Sequence, residues 1–165
     1  IFLLPKFLEK EMSKKPKLLI RESYLKLIKN SVGSKVWRNL YAQVGEEKKK
    51  DILGNGKLAC SFFVSSVLLI FGLIKESHAT VKGTLKDMAD SGWQEIKELK
   101  IGSVLLWEEK RGHRHLGFLV AQNQAISNSS KRRSPQLHHF TFGKNKQNQP
   151  VRKIEKIFWH KKLNR

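Results

Sequence analysis

The run His115-Leu116-Gly117-Phe118-Leu119-Val120 lies between two others of the same texture, Ser103-Val104-Leu105-Leu106-Trp107 before it and Ala125-Ile126-Ser127-Asn128 after it. Each is short and apolar, and turn clusters at Lys110-Arg111-Gly112 and Gln122-Asn123-Gln124 separate them. That pattern predicts strands joined by tight connections. Toward the C-terminus it continues in residues 137–142 and 151–159, divided by the Ser- and Pro-containing stretch 129–135 and by 143–150. Five strands in a meander are therefore expected.

Upstream the texture is helical. Residues 58–74 form the most apolar window, with Gly72 near its end, and read as a buried central helix. Thr80 is placed to cap a second helix running to Met88 and closing at Gly92. Leu18, Leu25, Ile28 and Val32, with Tyr24 beside them, trace a helical stripe that Gly33 stops. The stretch Val36-Trp37-Arg38-Asn39-Leu40-Tyr41 suits a helix turn or a short strand, the helix slightly ahead. Residues 45–57 are polar, with a Glu-Glu-Lys-Lys-Lys run that reads as a solvated face. Helices first and strands after indicate an α+β fold with the helices packed on one face of an antiparallel sheet. Residues 1–33 are expected to form a basic helical extension, and 34–165 the domain proper.

The length, 165 residues, suits one domain with a real core. A formal net charge of +19 predicts attraction to polyanions. The excess sits at the two ends, above all in the C-terminal third, around a nearly neutral middle. The single cysteine excludes an internal disulfide framework and a multi-cysteine zinc site. The apolar window 58–74 is short for a membrane span, which needs about 20 residues, and it holds three serines; no span is expected. Ile1-Phe2-Leu3-Leu4 is cut by Pro5 and Lys6, short of a secretory signal core. The compartment stays open between cytoplasm and cell envelope.

Cys60 falls in the first turn of the central helix, where the helix dipole and unpaired N–H groups favour a thiolate. A lone cysteine in an apolar run is most often a small buried hydrophobe. His115, opening a strand, changes the balance: a helix-borne thiol facing a strand-borne imidazole is what a cysteine nucleophile needs. A polar group on the next strand would hold the ring in the right tautomer.

Here the sequence resembles a family. Cys60-Ser61-Phe62-Phe63-Val64 is similar to the Cys-Ser-Gly-Phe-Val helix start of NlpC-type cysteine peptidases, papain-like enzymes that cut peptidoglycan stem peptides. Gly102-Ser103-Val104-Leu105-Leu106-Trp107 resembles their Gly-Asp-Leu-Val-Phe-Phe strand, and His115-Leu116-Gly117-Phe118 their His-Val-Gly-Ile. The order and spacing of the three motifs suit the family over residues 36–130. The resemblance implies a papain-like fold, a hydrolase of a bacterial cell-wall type, a peptide or peptidoglycan-like substrate, no cofactor, and Cys60 and His115 as nucleophile and base. Ala59 departs from the family's usual Asp or Asn before the cysteine, and Phe62 replaces a small residue. The third catalytic position falls on Ser127 without gaps. Asn128 is chemically the better orienter, since its amide oxygen can accept the imidazole N–H. Asn128 is favoured here with Ser127 close behind, and one residue of register separates them.

The other histidines compete less well. His113 reads as an exposed loop residue. Of His138 and His139, which face opposite sides of a strand, at most one can reach the site. No acidic or cysteine ligand at useful spacing joins them, so no metal is expected. His78 and His160 read as loop and strand-end residues. Lys131-Arg132-Arg133 forms either an electropositive rim or a solvated loop. Phe140, Phe142, Phe158 and Trp159 are expected to be a sheet face packed on helices rather than a base-stacking surface. The alternative to an enzyme is a non-catalytic module whose basic C-terminal third holds nucleic acid or an anionic wall polymer.

Overall fold

The computed structural model describes residues 16–164. Helix α1 (Ile20–Asn30) buries Tyr24 and Ile28. The Tyr24 hydroxyl donates to the Gly102 carbonyl at 3.0 Å, and both side chains belong to the main core. The helix expected in an N-terminal extension thus shares the domain's core. Leu18 and Val32, assigned to its apolar stripe, are exposed. Gly33, at φ +76°, ends this segment with its amide on the Pro135 carbonyl at 2.8 Å.

Val36 and Trp37 form a turn and Arg38 a bend, and at Tyr41 the chain becomes strand β1 (Tyr41–Val44), which pairs antiparallel with β2 (Glu47–Asp51). The helix favoured over 36–41 is corrected: this turn and bend lead into a hairpin turned by Gly45 at φ +69°, where a side chain would be strained. The charge run therefore occupies a two-stranded ribbon, with Lys49 and Lys50 exposed.

Helix α2 (Cys60–Ile70) buries Ser61, Phe63, Val64, Ser65, Val67 and Leu68. Helix α3 (Val81–Asp90) starts at Thr80, whose hydroxyl accepts from the Gly83 amide at 3.1 Å. No helix among the described residues is long and apolar enough to cross a membrane.

The main sheet has six antiparallel strands, not five: β3 (Trp93–Ile96), β4 (Val104–Lys110), β5 (His113–Ala121), β6 (Gln124–Ser129), β7 (Ser134–His139) and β8 (Ile154–His160). Their order, β3-β8-β4-β5-β6-β7, also corrects the meander. Only β4 to β7 run consecutively, and β8 returns to lie between β3 and β4. The unforeseen strand β3 spans four residues, with Gln94 and Glu95 exposed. Its pairing of Trp93 with His160 and Ile96 with Ile157 makes it a strand, and that pairing is not a local property of the sequence.

Alternation divides the sheet. On one face Val104, Leu106, Leu116, Phe118, Val120 and Ile126 pack with Phe63, Val64, Val67 and Leu68 of α2. On the other, Leu105, Trp107, Leu119 and Ala125 pack with Phe140, Phe142, Ile154 and Ile157. Of the four aromatics expected against the helices, Phe158 and Trp159 lie there, while Phe140 and Phe142 cover the opposite face.

Candidate functional site

The chain reaches Cys60 through a turn in which Gly54, Asn55 and Gly56 all take positive φ. Gly56 is required: a Cβ there would meet the Arg133 carbonyl at 2.9 Å. Ala59, at the N-cap of α2, supplies no side-chain cap. The N–H groups of the first turn are thus left without a side-chain acceptor around the partly buried thiol.

Cys60, His115, Ser127, His138 and Arg152 line one cleft of about 760 Å³. His115 shares its sheet face with Gly117, whose cross-strand partner is Ser127. The His115 Nε2 and the Ser127 Oγ share a hydrogen bond of 2.9 Å. Asn128, favoured as the partner of His115, does not make this contact. One residue further along β6, it faces the other side, and its Nδ2 donates to the Gly56 carbonyl at 2.8 Å. Its work is on the turn before Cys60, not on the imidazole.

Gly117 makes the His115–Ser127 contact possible. A Cβ there would sit 2.6 Å from both the Ile126 carbonyl and the Ser127 Cβ, and 3.0 Å from the Trp107 ring. Only glycine lets β6 and the indole approach this closely.

A second histidine joins the first. His138, opposite Ala125 in the register, lies diagonally beyond Ser127, and its Nε2 shares a 2.8 Å hydrogen bond with the same Oγ. Its Nδ1 meets the His139 carbonyl at 2.8 Å. Phe142 stacks on the His138 ring, centroids 4.1 Å apart and planes 17° apart. Trp107 lies 5.6 Å from the His115 ring and 5.8 Å from His138, its own Nε1 donating to the Phe140 carbonyl.

Burial sets the electrostatics. It pushes the Cys60 thiol up, against the Leu116 amide, Ser61 and the Arg152 guanidinium, which favour the thiolate. It pulls His115 down to about 3, with Arg152 and His138 adding to the effect. His138 is lowered as well, chiefly by burial. At neutral pH the unliganded site therefore holds a thiol and a neutral imidazole rather than a preformed ion pair.

Arg152, which no sequence motif singles out, is fixed in the loop before β8. Its Nε and Nη2 donate to the Glu108 carbonyl at 3.0 and 2.9 Å, and Nη2 also to the His113 carbonyl at 2.7 Å. Lys57, Lys110, Arg111 and Arg114 also line the cleft, and among the described residues no aspartate or glutamate does. The chain matches no protein-family model, no curated protein and no solved structure.

Of the remaining histidines, His113, expected in a loop, is instead the exposed first residue of β5 and lines the cleft, and the other three have partners elsewhere. His78 Nε2 lies 2.8 Å from Asp87 Oδ2, and His160 Nε2 lies 3.0 Å from the Ser91 carbonyl. His139 bonds Thr141 on the exposed side of β7. Among the described residues no group of three or more His, Cys, Asp or Glu is placed to hold a metal.

Proposed function

We propose that the protein is a cysteine hydrolase that cuts an amide bond, with Cys60 as nucleophile, His115 as base and then acid, and Ser127 on the far side of the imidazole. The observation that carries this reading is the convergence, on one cleft, of a thiol at an uncapped helix start and an imidazole whose Nε2 is engaged by Ser127. The ring's Nδ1 is left as the nitrogen available to the thiol. As substrate binds, His115 takes the thiol proton while sulfur bonds the carbonyl carbon. The oxyanion gathers at the first-turn N–H groups of α2, Cys60's own among them. When the intermediate collapses, the C–N bond breaks and the amine leaves with the proton held by His115. Water, deprotonated by the same ring, then hydrolyses the thioester and restores the thiol.

The arrangement resembles that of NlpC-type peptidases in a papain-like fold, with the third position on serine. That resemblance names peptidoglycan stem peptides as the substrate class. A cleft wall with five cations and, among the described residues, no carboxylate suits an anionic peptide of this kind.

Because the chain has one cysteine, a thiol probe reads a single site. Iodoacetamide should label Cys60 in the folded protein, and His115→Ala should slow that labelling at neutral pH. Cys60→Ala should abolish release of amine from peptidoglycan fragments. Labelling at the same rate in His115→Ala would overturn the assignment of the base. Turnover surviving in Cys60→Ala would overturn the nucleophile. The cations favour a second reading, a module that holds a polyanion, which predicts binding to wall polymer or nucleic acid that Cys60→Ala leaves intact and that salt weakens steeply.

A further inference from the structure

We propose that His138 is a positioning residue that fixes the tautomer of His115 through Ser127, with the main-chain carbonyl of His139 as the fixed end of the relay. The inference rests on the cysteine-hydrolase reading above for its functional meaning, and on hydrogen-bond chemistry for its content.

The relay can be traced one proton at a time. A carbonyl oxygen only accepts, so the His138 Nδ1, 2.8 Å from the His139 oxygen, carries a proton. A neutral ring protonated at Nδ1 has its lone pair at Nε2. That lone pair, 2.8 Å from Ser127 Oγ, accepts the serine hydroxyl proton. A hydroxyl has one proton to give, and it is now committed to His138. Toward His115 the serine oxygen can only accept, so the His115 Nε2 at 2.9 Å is the donor. The free lone pair of His115 is then at Nδ1, the nitrogen that must take the thiol proton.

Serine alone does not achieve this. Its hydroxyl rotates and can donate as readily as accept, so a lone Ser127 would tolerate either tautomer of His115. An asparagine or a carboxylate supplies a fixed acceptor by its constitution. Here the acceptor character of Ser127 is imposed from behind by an imidazole whose own orientation comes from the backbone.

The surroundings support a built position. The His138 ring stacks on Phe142, and the Trp107 indole lies against both rings, 5.8 Å from His138 and 5.3 Å from Phe142. Burial keeps it neutral, the state the relay requires. Among the described residues no carboxylate forms an ion pair with His115 or His138. The cationic side chain acting on the pair is Arg152, on the His115 side, and it opposes protonation.

The test is spectroscopic and kinetic, on the full chain. Long-range proton–nitrogen correlation spectra with ¹⁵N-labelled histidine distinguish the two neutral tautomers. The wild-type protein should show His138 protonated at Nδ1, the less common form in water, and His115 protonated at Nε2. Ser127→Ala should release His115 to a mixture while His138 keeps its Nδ1 proton. His138→Phe retains a flat ring against Phe142 but removes the acceptor. It should slow iodoacetamide labelling of Cys60 by about tenfold, since a misplaced imidazole proton costs a triad orders of magnitude in turnover. Since His138 acts only through Ser127, the double variant should label no more slowly than Ser127→Ala.

A wild-type His138 carrying its proton on Nε2 would overturn the relay without any variant being made. So would losses in the two single variants that multiply in the double. If His115→Ala leaves labelling unchanged, it is the hydrolase reading that falls, and the spectra still decide the tautomers.

Discussion

At the scale of single residues, Gly117 and Asn128 show how much hangs on one atom or one position. Gly117→Ala would push a methyl into the Ile126 carbonyl, the Ser127 Cβ and the Trp107 ring, two backbone-anchored groups and a packed indole. None of these is the free end of a flexible chain, so relief requires β6 to move away. The expected loss is roughly 3 kcal/mol, at the upper end for overpacking, read as a lower urea midpoint. The His115–Ser127 contact should weaken with it, visible as a shifted His115 resonance. Cys60 and His115 could be singled out in the sequence because thiol and imidazole chemistry are specific to their residue types. The choice between Ser127 and Asn128 could not be made that way. Intrinsic chemistry favoured the amide, but the pairing of Gly117 with Ser127 turns the amide to the opposite face. Arg152 gave no signal at all, because its importance comes from two carbonyls more than thirty residues distant in the chain.

At the scale of elements, the connection between α2 and α3 depends on Asp87. This nearly buried carboxylate accepts from the amides of Lys75 and Glu76, from the Ser91 hydroxyl, and pairs with the His78 ring. These bonds outweigh its burial and hold its pKa down at about 2. Asp87→Asn keeps the shape but loses the charge and half of the acceptor capacity. The expected cost is about 2 kcal/mol, since hydrogen bonds to a charged group are worth more than neutral ones. Differential scanning calorimetry would show it as a lower melting temperature, with no effect on the tautomer of His115. The existence of α2 and α3 was legible from an apolar window and a Thr cap, both local signals. Strands β1, β2 and β3 were not: their residues are polar or few, and their structure comes from partners elsewhere in the fold.

At the scale of the whole molecule, acid stability is shaped by several depressed pKa values, those of His115 and Asp87 above all. His115 falls from an ordinary 6.5 to about 3 in the folded protein. The unfolded chain therefore binds this proton first, and the contribution of His115 is complete above pH 6.5 and lost as pH falls toward 3. Asp87 falls from 3.8 to about 2, so its contribution is complete above 3.8 and is lost as pH falls through 2. The melting temperature should decline in two stages, beginning below pH 6.5. His138 and His160 are lowered too and share the upper stage; His115→Phe should reduce that stage without abolishing it, and an unchanged profile in that variant would refute the buried neutral ring. The α+β class was readable from the order of textures along the chain. The strand order was not, because nothing local announces that β8 returns to the centre of the sheet.

That return carries a consequence for biosynthesis. A nascent chain that has emerged only to residue 150 already holds Cys60, His115, Ser127 and His138, yet it lacks the strand that lies against β4 and the loop that carries Arg152. Because a sheet strand without its neighbour leaves its main-chain groups unpaired, β4 stays an open edge until β8 leaves the ribosome. Cys60 is thus translated long before the scaffold around it can close, and the cleft it lines is not assembled until β8 has been made.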